Sequence, residues 1–174
     1  MSELRDKRGM TEEEAIADYR RRNYPKPALT ADCAIFARVG GRLRLLMIRR
    51  GGHPCLGCWA LPGGFADEGE TIERTAEREL EEETGLTGIP MALVGIYSAP
   101  GRDRRGWTVS AAYAACLPDG PENAVAGDDA AETAWVDVRR GDDGRIDIAL
   151  PDDAGIAFDH RQIIEDAVRV TGIL

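Results

Sequence analysis

The sequence predicts an α/β fold, a mixed β-sheet covered by helices. Three observations predict it. Apolar runs of strand length recur at 31–38, 43–49, 89–98, 108–117 and 133–138. Helical patterns fall between and around them, near the N-terminus, over about 72–84 and at the C-terminal end. The chain has 174 residues, 43% hydrophobic and 30% charged, which suits one globular domain with its own core.

In chain order, Thr11 and Glu14 have capping-box spacing, and "EEEAIADYRRR" reads as a short helix. "NYPKP" stops it, because proline cannot donate into a helix. The division expected is an N-terminal helical extension, 1–27, and a main domain, 28–174. Gly40-Gly41 between the first two strands marks a tight hairpin. "GGHPCLGCWALPGG" is a loop punctuated by glycine and proline. "SAPGRDRRGW" and "LPDGPENAVAGDDAAET" read as turn-rich loops, and "FDHRQIIEDAVRVTGIL" as a closing amphipathic helix. No repeat or low-complexity tract interrupts this order.

Charge and composition exclude some functions. A net charge of −9 argues against a general nucleic-acid binder, which needs a basic face for phosphates. No apolar run approaches the roughly 18 residues of a membrane span, and the N-terminus lacks the apolar core of a signal peptide. The expectation is a cytoplasmic protein with neither nucleic-acid nor membrane partners. Four cysteines (Cys33, Cys55, Cys58, Cys116) do not make a disulfide scaffold at this length.

The segment "TAERELEEETGL" carries five glutamates within seven residues. Like charges four apart on a helix repel. Successive helical residues are about 100° apart, so Glu79, Glu82 and Glu83 share one face, while Glu77 and Glu81 point toward solvent. Ile72, Ala76 and Leu80 form an adjoining apolar stripe, Thr71 is placed to cap the helix, and Gly85 to end it. The three converging carboxylates sit near the helix C-terminus, where the macrodipole disfavours anions. Arg78 can pair with Glu82, but one arginine does not neutralise three carboxylates. A divalent cation is the economical counter-charge, and carboxylate and phosphate oxygens are the ligands magnesium prefers.

Upstream lies "GGFADEGE". Together the two segments read Gly64, five residues, Glu70, seven residues, Arg78-Glu79-Leu80, one residue, Glu82-Glu83, one residue, Gly85-Leu86. This resembles the signature of the Nudix hydrolases with every fixed position filled. With the preceding "WALPGG" and the strand order, the resemblance extends over roughly 30–170. It implies an α/β/α sandwich and metal-dependent hydrolysis of a nucleoside diphosphate linked to another group. It implies magnesium or manganese held by Glu79, Glu83 and Glu82, with a backbone carbonyl near Gly63 joining them. Glu82 maps to a further ligand or a water-orienting group, and Glu79, Glu82 and Arg78 form the implied catalytic set. Gly64, Glu70 and Gly85 belong to the supporting loop–helix–loop. The chemistry is consistent: pyrophosphate is densely anionic, so cations must neutralise it and acidify water before attack.

Substrate choice lies outside this signature. Pro100, fifteen residues after Gly85, resembles the pattern of the ADP-ribose pyrophosphatase branch, as do "YPKPALTADCAIF" and "SAPGRDRRGWTVS". The resemblance implies a small nucleotide substrate, ADP-ribose, split to AMP and ribose 5-phosphate. Arg102, Arg104 and Arg105, and Arg49 and Arg50, are candidates to clamp phosphates, against the alternative of solvated charges. Trp107 is a candidate to stack on a base, against the alternative of a sheet-edge residue. Glu122, Asp128, Asp129 and Glu132 offer a distal carboxylate, for which spacing selects none.

His53, Cys55 and Cys58 supply three of the four ligands that structural zinc requires, so such a site needs Cys33 or Cys116 as well. His160 reads as a packing or hydrogen-bonding residue at a helix end. Two rival functions stand beside ADP-ribose hydrolysis. One is hydrolysis of an oxidised nucleotide triphosphate, a dinucleoside polyphosphate or NADH. The other is nucleotide sensing without strong turnover, as in Nudix-like regulators that carry a further DNA-binding domain; too few residues follow the last strand for one. The branch also implies a homodimer packed through the N-terminal helix.

Overall fold

The computed structural model describes residues 4–117 and 130–174. Helix α1 (Glu12–Arg22) begins at the predicted capping box: the Thr11 hydroxyl accepts from the Glu14 N–H, and the Glu14 carboxylate accepts from the Thr11 N–H. None of its residues is buried. Its local support is the cap, with Glu12, Glu13 and Glu14 in the first turn and Arg20, Arg21 and Arg22 in the last, matching the helix dipole.

Strands β1 (Ala28–Val39) and β2 (Arg42–Arg50) form the predicted hairpin, with φ of 57° at Gly40 and 78° at Gly41, the left-handed pair that a tight turn requires. Two short strands follow, β3 (Trp59–Ala60) and β4 (Gly63–Phe65), then α2 (Ile72–Thr84), β5 (Ala92–Tyr97), β6 (Thr108–Leu117), β7 (Ala130–Arg140), β8 (Ile146–Ala149) and α3 (His160–Thr171). The sheet runs β5-β6-β1-β2-β7-β8, with β3 on β2 and β4 on β1. β1 and β6 are parallel and the other strand pairs antiparallel, so the sheet is mixed, as expected.

Alternation along the central strands sorts side chains to two cores. Cys33, Ile35 and Leu46 pack with Ala76 and Leu80 of α2. Ala34, Phe36, Leu45 and Met47 pack with Ile163, Ile164, Ala167 and Val168 of α3. The result is a sheet between two helices, and the continuous apolar character of β1 follows from burial on both faces.

Some boundaries differ from the sequence expectation. The strand expected over 133–138 begins earlier: 130–132, read as loop, belongs to β7, because pairing with β2 extends from Val138 back to Ala130. β8 was not anticipated; it is an edge strand whose polar alternation, Asp147 between two isoleucines, needs only β7 as partner. β3 and β4 lie within the segment read as loop, their pairing supplied by β2 and β1. α3 begins at His160 rather than Phe158, which has a positive φ of 50°. No described helix is long and apolar enough to cross a membrane.

Ile163 is fully buried between α3 and the sheet. Ile163→Ala is expected to lower unfolding free energy by about 2–5 kcal/mol, read from the urea midpoint at unchanged m-value.

Candidate functional site

The acidic face of α2 is built against β4. Thr71 caps the helix by accepting from the Arg74 N–H, Gly85 ends it at φ 71°, and Ala76 and Leu80 hold it on the sheet. This orientation sorts the glutamates by depth. Glu77 and Glu81 are exposed, as the helical angle predicts. Glu83 is buried, Glu79 is half-buried, and the Glu82 side chain is 56% exposed at the rim.

Arg78 organises this end of the helix. Its Nε donates to Glu70 at 3.0 Å, and Nη2 donates to Glu70 at 3.0 Å and to the Phe65 carbonyl at 2.9 Å. Nη1 donates to Glu79 at 2.8 Å and to Glu82 at 3.0 Å. All the N–H donors of a guanidinium are thereby used. Glu70 also accepts from the Thr75 hydroxyl and the Asp67 N–H, and the Arg78 guanidinium foremost holds its carboxyl down to about 2.

Gly63 and Gly64 make the floor. Gly63 has φ 156°, and a Cβ there would lie 2.2 Å from the Ala31 carbonyl oxygen. A Cβ on Gly64 would lie 2.4 Å from a Glu79 carboxylate oxygen. The Gly63 N–H donates to Glu83 at 2.8 Å. Burial foremost raises the pKa of Glu79. Burial also pushes Glu83 up to about 8, with Glu79 and Asp32 adding and the Gly63 N–H and Arg50 opposing.

Among the described residues, no three His, Cys, Asp or Glu side chains stand as a ready-made metal cage. Glu79 and Glu82 turn to Arg78, and Glu83 turns to Gly63. The donor chemistry nevertheless fits a hard divalent cation. Oxygen donors dominate, two carboxylates sit in partial burial with too little positive charge, and the glycine floor leaves Glu79 its space.

Beside this floor lies a narrow cleft lined by Thr30, Asp32, Arg50, Gly63, Gly64, Arg102, Asp103, Arg105, Phe158 and His160, with Leu61. Arg50, rather than Arg49, faces it. Arg49 lies over Trp59 and pairs with Asp152 at 2.7 Å and Glu132 at 3.6 Å. The Arg102 side chain is only 5% exposed and is held bidentately by Asp159 at 2.9 and 2.7 Å. It therefore anchors its loop instead of standing open. Arg104 lines a neighbouring hollow with Cys55 and Phe158. Arg105 is gripped by Asp103 and lies over Phe65 and Phe158. Trp107 is 59% exposed at the start of β6, and its carbonyl accepts from Ala28. Glu122, Asp128 and Asp129 lie outside the described residues. Cys55 and Cys58 are free thiols packed with Ile48, Ala60 and Phe158.

Sequence reasoning missed Asp32, Asp103 and the position of His160. Asp32 and His160 reach the cleft from β1 and from the start of α3, and no local pattern signals that meeting. A buried aspartate in an otherwise apolar strand was the one available hint.

A loop–helix carrying an acidic face, set on a mixed sheet between helices, defines the class of protein. The chain matches the NUDIX domain over residues 26–152 and belongs to that family. It is 40% identical over 126 residues, 72% of its length, to an ADP-ribose pyrophosphatase of Methanocaldococcus jannaschii, and spans 66% of that relative's length. Its fold superposes on a MutT/nudix family protein from Enterococcus faecalis with a TM-score of 0.83 at 32% identity, covering 95% of this chain and 71% of the other. It superposes on the NUDIX domain of Shewanella oneidensis NrtR, solved with ADP ribose, with a TM-score of 0.74 at 31% identity, covering 93% and 99%.

His160 is buried, and its Nδ1 accepts from the Leu61 N–H at 2.9 Å. Burial foremost, with Arg102 and Arg50 adding, lowers its pKa from 6.5, against Asp32 and Asp159. The folded state thus prefers the neutral imidazole, and the unfolded chain takes up the proton first. The stabilisation is complete above about 6.5 and is lost as pH falls toward the lowered value. The stability difference between the parent and His160→Gln is expected to narrow below pH ~6.5, measured by urea unfolding across pH. A difference independent of pH would contradict a neutral buried imidazole.

Proposed function

We propose that the chain hydrolyses the pyrophosphate bond of a nucleoside diphosphate linked to another group, with ADP-ribose as the substrate, giving AMP and ribose 5-phosphate. The observation that carries the reading is the seating of Glu79 and Glu83 on the Gly63–Gly64 floor beside Arg78. ADP-ribose is favoured by the archaeal relative named as an ADP-ribose pyrophosphatase and by the NrtR domain that holds ADP ribose.

In this reading Glu79, Glu83 and Glu82, with the Gly63 carbonyl, hold magnesium or manganese. The bound cation would neutralise pyrophosphate oxygens and make water more acidic. Arg78 fixes where Glu79 and Glu82 point, and Glu70 fixes Arg78. In this reading Glu82, the most exposed of the three, orients the attacking water and takes its proton. Water oxygen bonds to one phosphorus, the bridging P–O bond breaks, and the leaving phosphate keeps the electron pair. Arg50 adds positive charge on the cleft side.

A sensing role is the second reading, favoured by the likeness to a regulator's NUDIX domain bound to ADP ribose. The N-terminal extension, 1–27, packs across a homodimer in our reading, supported by exposed Ile16, Tyr19 and Tyr24 and by Leu93 and Ile96 on the edge strand β5. A cytoplasmic location accords with four free cysteines, and an acidic net charge with the absence of a nucleic-acid partner.

The test is a substrate panel with magnesium: ADP-ribose, NADH, dinucleoside polyphosphates and oxidised nucleotides. ADP-ribose is expected to give the highest kcat/KM, and preference for another member would overturn the assignment. Glu83→Gln keeps an acceptor for the Gly63 N–H and should reduce turnover by about 10²-fold or more. Retained ADP-ribose affinity with no turnover in the parent would favour sensing. Light scattering at the monomer mass would remove the dimer.

A further inference from the structure

The backbone from Trp59 to Gly63 is tied to two distant segments in succession. The Trp59 N–H donates to the Gly155 carbonyl at 2.9 Å, and the Ala157 N–H donates to the Trp59 carbonyl at 2.8 Å. The Cys33 N–H donates to the Pro62 carbonyl at 2.8 Å, and Asp32 pairs with Gly63 in the sheet. Between these backbone bonds, at Leu61, a side chain takes over: the N–H donates to Nδ1 of His160 at 2.9 Å.

The other imidazole nitrogen is 3.5 Å from Asp32 Oδ1. Asp32 accepts from the Ser110 hydroxyl and lies 3.6 Å from Arg102, which grips Asp159, the residue before His160. Leu61, His160, Asp32, Arg102 and Asp159 thus form one connected polar chain next to an apolar core that includes Ile163 and Ile164. Burying such groups is costly where apolar packing would serve stability as well. What this chain adds is position, because an imidazole bonded at Nδ1 and facing a carboxylate at Nε2 has a fixed plane and tautomer.

The segment it holds continues directly into the glycine floor. Gly63 has no room for a Cβ against Ala31 and bonds Glu83, and Gly64 abuts Glu79. A small shift of Leu61 moves the surface on which both carboxylates rest. We propose that His160 is a positioning residue that fixes the Leu61–Gly64 backbone, so that the start of α3 sets the geometry of the cation site on α2. This rests on the divalent-cation reading above.

The experiment titrates Mn2+ alone, without nucleotide, against the full chain, reading free Mn2+ by electron paramagnetic resonance. His160→Ala is expected to weaken Mn2+ binding by about 10-fold or more. His160→Leu keeps the bulk and lacks the acceptor, so it should weaken binding equally and serves if the alanine variant does not fold. His160→Gln supplies an amide oxygen for Leu61 and an amide N–H for Asp32, and should recover most of the parent affinity. Ile163→Ala loses stability without touching the polar chain and should bind Mn2+ like the parent. Parent-like binding by His160→Ala or His160→Leu would overturn the proposal. So would failure of His160→Gln to recover, or equal weakening by Ile163→Ala. A parent that binds no Mn2+ would instead sink the cation reading itself, and the inference with it.

Discussion

The acidic end of α2 depends on the guanidinium of Arg78. Carboxylates on one face near the C-terminal end of a helix repel one another and oppose the helix dipole. Arg78 meets this with every donor it has: Glu70 on the loop, the Phe65 carbonyl on β4, and Glu79 and Glu82 on its own helix. Loop, strand and helix are thereby joined through one planar group. A lysine would keep the charge but lose the fork that reaches all these partners.

Arg78 leaves Glu83 without a direct bond. Glu83 rests instead on the Gly63 N–H, and its burial keeps its pKa high. The site is therefore not electrostatically balanced as it stands. Such local cost is offset by packing of Ala76 and Leu80 on the sheet, and it accords with the proposed cation site. The cleft side is organised differently. There Arg102 and Arg105 are already engaged by Asp159 and Asp103, which fixes the loop before β6 rather than leaving its charges loose.

Legibility in the sequence followed the range of the forces involved. α2 was readable because its caps, apolar stripe and acidic face all repeat with the helical period. The Gly40-Gly41 hairpin was readable because φ above zero leaves few residue choices. β3, β4 and β8 were not, since each is short and is defined by the strand it pairs with. At the site, the glutamates and Arg78 were legible as a local motif. The engagement of Arg102 by Asp159, the choice of Arg50 over Arg49 for the cleft, and the meeting of Asp32 with His160 were not. Each depends on residues brought together across most of the chain.

The parallel pairing of β1 with β6 also governs how the molecule comes to exist. Ala28 through Ala37 lie beside Thr108 through Leu117, and the loop closed by that ladder contains β2, β3, β4, α2 and β5. Closing so long a loop loses chain entropy before the ladder's contacts can compensate, so this topology favours slow folding over a fast local collapse. The glycine floor that pairs with β1 and the acidic helix above it sit inside that loop. The caps and apolar stripe of the helix are local, but its partner surfaces arrive only with the central ladder. The geometry of the acidic site is then a property of the completed chain, and ribosome-bound or truncated forms that end before β6 would carry the motif without the site.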